Sequence, residues 1–449
     1  MALVAGWRAE LEVWLRPSLE ALGHPARRAM CPLYVAGLIG PGERKSVQPM
    51  AGRLGLPSHD ALHHFIAAGA WDAGPLEAAL AREADRLAGG RDAFLIVDDT
   101  ALPKKGDRSA GVAPQYASTL GKNANCQVLV SLTLARREVP VPFALRLFLP
   151  EEWTADAERL ERAGVPEAWR TPRTKPEIAL AEIDRAVAAG VRFGCALADA
   201  GYGIGAPFRA GLSARGLRWA VGIPRVLKVY PADVVLQPPP AGSRRKLSEP
   251  DRRSRPAEKV LAEATWRRVA WRRGTKGRLS ARFAAVRIRV ADGPARQIGG
   301  RPAQHLPGEE AWVIGERRAS GETRYYLSNL PHDTDLKTLA ATIKARWACE
   351  QAHQQLKEEL GLDHFEGRSW TGLHRHALMA MLAFAFLQHR RLAAAKRGKK
   401  SRRPPTPAEP ARGPRRHRRR AAPRSLAAAL PALRHLDRHV ARRRPAKRR

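Results

Sequence analysis

A mixed α/β fold, preceded by a helical region and followed by a strongly basic segment, is the class this sequence predicts. Three observations carry the expectation. Two short continuous apolar runs, Ala93-Phe-Leu-Ile-Val97 and Phe193-Gly-Cys-Ala-Leu-Ala198, each stop at an acidic residue and have the length of buried strands. Residues 1–85, Leu336 to Leu362 and His374 to Arg391 instead space their apolar side chains three and four apart, the period of a helix. Finally, Ala281-Arg-Phe-Ala-Ala-Val-Arg-Ile-Arg-Val290 alternates as a half-buried strand does.

In chain order, residues 1–88 form a helical domain. Within it, Pro49 to Leu56 followed by Pro57-Ser58-His59-Asp60 reads as a short helix, a turn and a second helix capped near Ser58 or Asp60. That pattern suits either a packed bundle or a DNA-contacting helix-turn-helix. Residues 89–223 hold the first part of an α/β core, with strands at Ala93–Val97, Cys126–Leu134, Val141–Phe148, Phe193–Ala198 and Leu217–Ile223. A helix from Pro176 to Gly190 separates the third from the fourth, proline being suited to a first turn. Residues 224–331, rich in Arg, Pro and Trp, form a β-rich insertion with a hairpin at Trp312–Gly315 and Tyr325–Ser328. The core resumes as helices over 332–394, and residues 395–449 have the composition of a basic disordered tail, with a short helix possible over 426–440.

Composition narrows the function. The 449 residues carry 79 Lys and Arg against 43 Asp and Glu, a net charge of +36. Residues 391–449 alone hold 22 basic and two acidic side chains. Such an excess excludes an acidic solvating protein and points to a polyanionic partner, nucleic acid first. Four widely separated cysteines, Cys31, Cys126, Cys195 and Cys349, form neither a zinc-ribbon pattern nor a disulfide framework, so a reduced cytoplasmic setting is expected. No signal pattern opens the chain, and the apolar run Ala377 to Leu387 is too short for a bilayer, so no membrane partner is expected.

Chemistry concentrates at three acidic positions. Asp98 and Asp99 end one strand, and Asp199 ends another, in the crevice where open α/β sheets bind ligands. Taken singly, either position also suits a turn or cap. The helix Arg346-Trp-Ala-Cys-Glu350-Gln-Ala-His353-Gln-Gln-Leu-Lys357 supplies a third acid, with Arg346, Glu350, His353 and Lys357 at steps of four, three and four along one face. A solvated salt-bridged face has the same spacing. Three carboxylates from separate elements can hold two Mg²⁺ or Mn²⁺ ions, hard cations that take oxygen ligands and drive phosphodiester transfer. Arg346 and Lys357 would then hold phosphates.

These residues give the chain a specific resemblance. Val97-Asp-Asp-Thr100 with Pro103-Lys-Lys-Gly106, Gly121-Lys122 with Asn125-Cys-Gln127, Leu149-Pro-Glu-Glu-Trp153, Thr174-Lys-Pro176, Asp199-Ala-Gly-Tyr-Gly203 and the Arg346–Lys357 helix resemble bacterial insertion-sequence transposases with an Asp, Asp, Glu triad, of the insertion sequence 701 family in the insertion sequence 4 group. The match covers residues 30 to about 390. Arg346, Glu350 and Lys357 fit the group's signature, whereas its tyrosine position holds Ile343. The resemblance implies a ribonuclease H-like core, catalytic and metal-binding Asp98, Asp199 and Glu350 with Asp99 as the alternative to Asp98, and two Mg²⁺ or Mn²⁺ ions. It also implies cleavage at terminal inverted repeats and joining to target DNA by a homodimer at the bacterial nucleoid. The insertion explains the long gap between Asp199 and Glu350, and Trp266, Trp271 or Trp312 within it is a candidate to stack on an extruded base.

Lys104, Lys105 and Lys122 are candidate backbone contacts, and His353 a phosphate contact or a group behind the metal ligands. Gly201-Tyr-Gly-Ile-Gly-Ala206 mimics a dinucleotide fingerprint, but the next acid is Asp233, too far for a ribose contact. Two other readings compete: an inactive or domesticated DNA-binding protein, and a ribonuclease H-like nuclease without a joining step.

Overall fold

The computed structural model describes residues 2–117, 120–239, 241–242, 248–274, 277–296 and 304–400. The basic segment beyond Lys400, and the short helix expected over 426–440, lie outside the described residues.

Five helices open the fold: α1 (Ala2–Leu19), α2 (Pro25–Ile39), α3 (Val47–Leu54), α4 (Asp60–His63) and α5 (Gly74–Ala88). Pro25 starts α2 behind His24, whose ring accepts the Ala26 N–H, while Gly55 ends α3 at φ 73°, a left-handed turn that glycine adopts without strain. The helix-turn-helix pattern thus folds as α3, a turn and α4, which runs on as a π-turn over His64–Ala68. Its apolar side chains Met50, Leu62, Phe65 and Ile66 are buried.

The central sheet follows as β1 (Phe94–Pro103), β2 (Ala113–Ala117), β3 (Lys122–Arg136) and β4 (Val139–Leu147). The short helices α6 (Glu151–Thr154) and α7 (Ala157–Arg162) lead to α8 (Lys175–Ala188), where Thr174 and Glu177 form a reciprocal capping box. Then come β5 (Cys195–Ala198), α9 (Ala200–Gly203), α10 (Ala206–Ala214) and β6 (Trp219–Ile223). Strand β3 lies antiparallel to both β1 and β4, while β5 and β6 run parallel to β1. The spatial order β4-β3-β1-β5-β6, an antiparallel meander joined to two parallel strands, is the ribonuclease H-like arrangement.

The segment after β6 extends this sheet. It comprises β7 (Lys228–Pro231), β8 (Leu236–Gln237), β9 (Glu249–Pro250), β10 (Arg255–Pro256), α11 (Ala257–Ala262), β11 (Arg267–Gly274), β12 (Gly277–Val290), β13 (Ala295–Arg296), β14 (Gln304–His305), β15 (Glu310–Arg317) and β16 (Thr323–Ser328). The expected hairpin is β15–β16, and β16 bonds antiparallel to β6, so the inserted strands β12, β15 and β16 are continuous with the central sheet.

Helices α12 (Leu336–Lys344), α13 (Trp347–Glu358) and α14 (Trp370–Lys400) complete the described chain. The helical stretch expected from Leu336 to Leu362 divides into α12 and α13 at Ala345-Arg346, where the tighter bonds Ala348 N–H to Ala345 O and Cys349 N–H to Arg346 O replace the regular ladder. Ala377 to Leu387 is buried along its whole length, packed with α2, α5 and β4. That burial explains the apolar run: α14 is the core helix joining the N-terminal helices to the sheet. Among the described residues, no helix is long and apolar enough to cross a membrane. Helix α14 also continues to Lys400, beyond residue 395 where composition places the start of the tail.

Candidate active site

Strand register places the first two acids. Val97 of β1 pairs with Ala198 of the parallel strand β5, so the next residue on each chain is acidic, Asp98 beside Asp199. Asp199 leaves the strand as the N-cap of α9, its Oδ1 accepting the Tyr202 N–H at 3.2 Å. Two close approaches hold that turn against β6. A side chain at Gly203 would meet the Gly222 carbonyl oxygen at 2.0 Å, and one at Gly222 would meet the Ala200 nitrogen at 2.7 Å. Gly203 therefore serves the close packing of α9 on β6.

Alternation along β1 separates the adjacent aspartates. Asp98 faces α13, where Arg346 Nη1 donates to its Oδ2 at 2.6 Å and Arg346 Nη2 also donates to Glu350. Asp99 faces the opposite side, taking an ion pair from Lys175 at 2.7 Å and a hydrogen bond from the Tyr202 hydroxyl. Asp98 thus joins the Glu350 helix and Asp99 does not. Lys175 and Tyr202, which surround Asp99, carry no signal in sequence beyond the motifs that contain them.

The electrostatics describe one coupled group. Burial pushes the Asp98 carboxyl up to about 7, Arg346 opposes the rise, and Asp199 adds to it. Burial works against the Arg346 charge, but the carboxylates of Asp98, Glu350 and Asp199 together hold its guanidinium above the ordinary value. All three acids are therefore within electrostatic range of one cation. Glu350 is exposed, its side chain 59 % accessible, and Asp199 is half-buried at the rim of a cavity of about 430 Å³ shared with Arg346.

The remaining candidates divide. Lys357 lies two turns along α13 from Glu350, about 10 Å away, partly buried and lowered in pKa by that burial. His353 turns inward instead: it is buried, with Nε2 2.9 Å from Ser131 Oγ. Of its two expected roles, that position, between α13 and β3, suits a group behind the acid cluster rather than a contact to a phosphate in solvent. Lys104 donates to the Phe365 carbonyl oxygen at 2.6 Å and, with Lys105, lines a cavity of about 790 Å³ that also holds Arg44, Arg108 and Arg368. Lys122 is exposed at the start of β3, nine residues or about 30 Å along the strand from the partner of Asp98. It lies outside the acid cluster.

Ile343 is buried in the core beneath the sheet. The three tryptophans are engaged: Trp266 and Trp312 donate to the carbonyl oxygens of Leu261 and Pro331, both at 3.0 Å, and Trp271 meets the Phe283 ring edge-on at 5.7 Å. Stacking on an extruded base would require each to leave these contacts.

The strand expected to stop at Val97 runs on to Pro103, so Asp98 and Asp99 lie inside β1 while Asp199 follows the end of β5. An acid-lined crevice at this point of a ribonuclease H-like sheet defines a class of metal-dependent nucleases and transferases acting on phosphodiesters. The profile of the DDE superfamily endonucleases matches residues 17–278, more than half of the chain, and the protein belongs to that family. The transposase DDE domain profile matches residues 176–386. The chain is 30% identical over 167 residues to a Microchaete diplosiphon protein described as "Probable transposase for insertion sequence element IS701". That alignment spans 37% of this chain and 41% of the relative. A solved piggyBac transposase synaptic complex with hairpin DNA aligns with 82% of this chain and 66% of its own, at 9% identity and a TM-score of 0.38.

Proposed function

We propose that this protein is an insertion-sequence transposase that cuts DNA at the terminal inverted repeats of its element and joins the 3′-hydroxyls to target DNA. The joining of Asp98 and Glu350 through Arg346, with Asp199 beside Asp98 on the paired strand, carries the reading. The donor set fits hard divalent ions, since these three side chains offer carboxylate oxygens alone and already accommodate positive charge. Asp98, Asp199 and Glu350 would hold two Mg²⁺ or Mn²⁺ ions, which supply Lewis-acid activation of a water or a 3′-hydroxyl and stabilise the leaving oxygen.

The protein's own groups do the positioning. Asp98 and Asp199 are fixed by adjacent parallel strands, so their separation is set by the sheet. Glu350, exposed on α13, can adjust to the substrate. Arg346 and Lys357 orient non-reacting phosphate oxygens once the guanidinium has left the carboxylates. Lys104 and Lys105 line a groove suited to the DNA backbone, with Lys122 a more distant contact, and the +36 charge favours salt-sensitive attraction to DNA. Reaction at two ends calls for a homodimer. Residues 1–88 would recognise the repeats, and a location at the nucleoid follows from the substrate.

Labelled repeat ends incubated with the full chain and Mg²⁺ test the reading. Cleavage followed by joining is expected, and Glu350→Gln should lose both while still binding the ends. Cleavage without joining would favour a ribonuclease H-like nuclease; binding with neither step would favour a DNA-binding protein that has lost catalysis.

A further inference from the structure

Behind Asp98, on the core side of the acid cluster, lies a group of softer donors that the proposed reaction does not use. A carboxylate oxygen of Asp98, the Cys349 sulfur and a His353 ring nitrogen lie within 4.8 Å of one another. Cys349 and His353 are four residues apart on α13, so both project from one helical face, and Cys349 Sγ is 3.4 Å from His353 Nε2. A tetrahedral zinc ion, with Zn–S about 2.3 Å and Zn–N about 2.0–2.1 Å, separates its sulfur and nitrogen ligands by about 3.6 Å. The two side chains already stand near that separation.

The surroundings hold both side chains in place, and metal binding must displace one of their contacts. Thr133 Oγ1 lies 3.4 Å from the Cys349 sulfur, placed to donate to a thiolate, although burial raises the thiol's pKa and opposes loss of its proton; Ser131 Oγ, 2.9 Å from His353 Nε2, bonds the nitrogen that would take the metal and must yield it. Asp98, partly open to the crevice, gives an ion its way in.

We propose that Asp98, Cys349 and His353 form a second metal site, selective for Zn²⁺ and similar borderline cations over the hard ions of the acid cluster. Binding forms Zn–S, Zn–N and Zn–O bonds. The thiol proton passes to solvent, the imidazole binds through the Nε2 lone pair with its proton on Nδ1, Ser131 releases Nε2, and a water completes four ligands. Asp98 belongs to both sites, so a soft ion withdraws it from the oxygen cluster and turns cleavage off. That consequence rests on the function proposed above; the binding does not.

Cobalt(II), a spectroscopic stand-in for zinc, tests the site in the full-length protein. One Co²⁺ per chain should bind with a thiolate-to-metal charge-transfer band, be displaced by Zn²⁺ and resist a hundredfold excess of Mg²⁺. Cys349→Ser should abolish the band, whereas Asp199→Asn and Glu350→Gln should keep it. Mass-spectrometric alkylation of the unsubstituted protein gives a second readout that needs no variant to fold. Zn²⁺ should slow modification of Cys349 at least tenfold and leave Cys31, Cys126 and Cys195 unchanged. Cobalt binding without a thiolate band, or equal protection of all four cysteines, would overturn the proposal.

Discussion

Arg346 donates to Asp98 at 2.6 Å and, through its other terminal nitrogen, to Glu350, so one guanidinium ties the strand acid to the helix acid. The pair is only partly accessible, with side-chain exposures of 20 % and 13 % for Arg346 and Asp98. Removing the cation leaves a buried carboxylate uncompensated.

Arg346→Gln should therefore lower the stability of the metal-free protein by about 1–3 kcal/mol, a figure discounted for partial solvation. Added Mn²⁺ should recover more stability in the variant than in the parent, because the ion replaces the missing charge. Thermal melts with and without Mn²⁺ check this; equal metal-induced shifts would count against the guanidinium as counter-charge.

Asp98→Asn and Asp99→Asn should fail differently. The first should reduce metal-dependent cleavage by about 10²–10³-fold or more and weaken divalent-ion binding, because it removes an oxygen ligand and its charge. The second breaks the contacts to Lys175 and Tyr202 and should appear mainly as lost stability. Isothermal titration with Mn²⁺ beside a cleavage assay separates them, and an equal loss of affinity in both would erase the distinction.

Gly203→Ala tests how Asp199 is positioned. The new methyl would stand 2.0 Å from the Gly222 carbonyl oxygen, so α9 must move away from β6. A cost of about 1–3 kcal/mol is expected, together with a loss of cleavage larger than instability explains. Chemical denaturation and cleavage rates below the melting temperature measure the two effects; a variant of full activity would show that α9 need not be seated so closely.

Three buried histidines predict acid sensitivity. His374 Nδ1 lies 2.9 Å from the Trp370 carbonyl oxygen while its Nε2 accepts the Leu147 N–H, and His376 is held between the Tyr34 hydroxyl and the Gly361 carbonyl oxygen, both at 2.9 Å. Each ring uses one nitrogen as donor and the other as acceptor, which requires the neutral form. Burial lowers His353 and His374 to about 3 and His376 to about 4. Since the folded values lie below the ordinary 6.5, the stabilisation is complete above that pH and is lost as pH falls toward 3–4, the unfolded chain taking up the protons. Between pH 6 and 5 the slope contributed by the three should approach about 4 kcal/mol per pH unit, and His376→Gln should reduce it by about a third. Urea denaturation across this range measures it; an unchanged slope in the variant would exclude His376 as a source.

Much of the architecture is legible in sequence because strand and helix periods are local properties. The apolar runs ending at Asp98 and Asp199 locate β1 and β5, and the three-and-four spacing locates α13 and α14. The acids were visible as residue types beside apolar runs and on a helix, although β1 continues through Asp98 and Asp99 to Pro103 rather than ending at them. What sequence left open was decided by packing. Asp98 and Asp99 are neighbours whose order says nothing of which faces α13; the pleat of β1 and its register with β5 settle that. Helical spacing set Arg346, Glu350, His353 and Lys357 in one row, yet only the angle at which α13 meets the sheet turns Glu350 outward and buries His353 against Ser131. The apolar stretch Ala377 to Leu387 was plain from composition, but its place between the N-terminal helices and β4 depends on contacts far apart in the chain. Residue types fixed the available chemistry, and long-range packing, which no local pattern encodes, decided which groups act together.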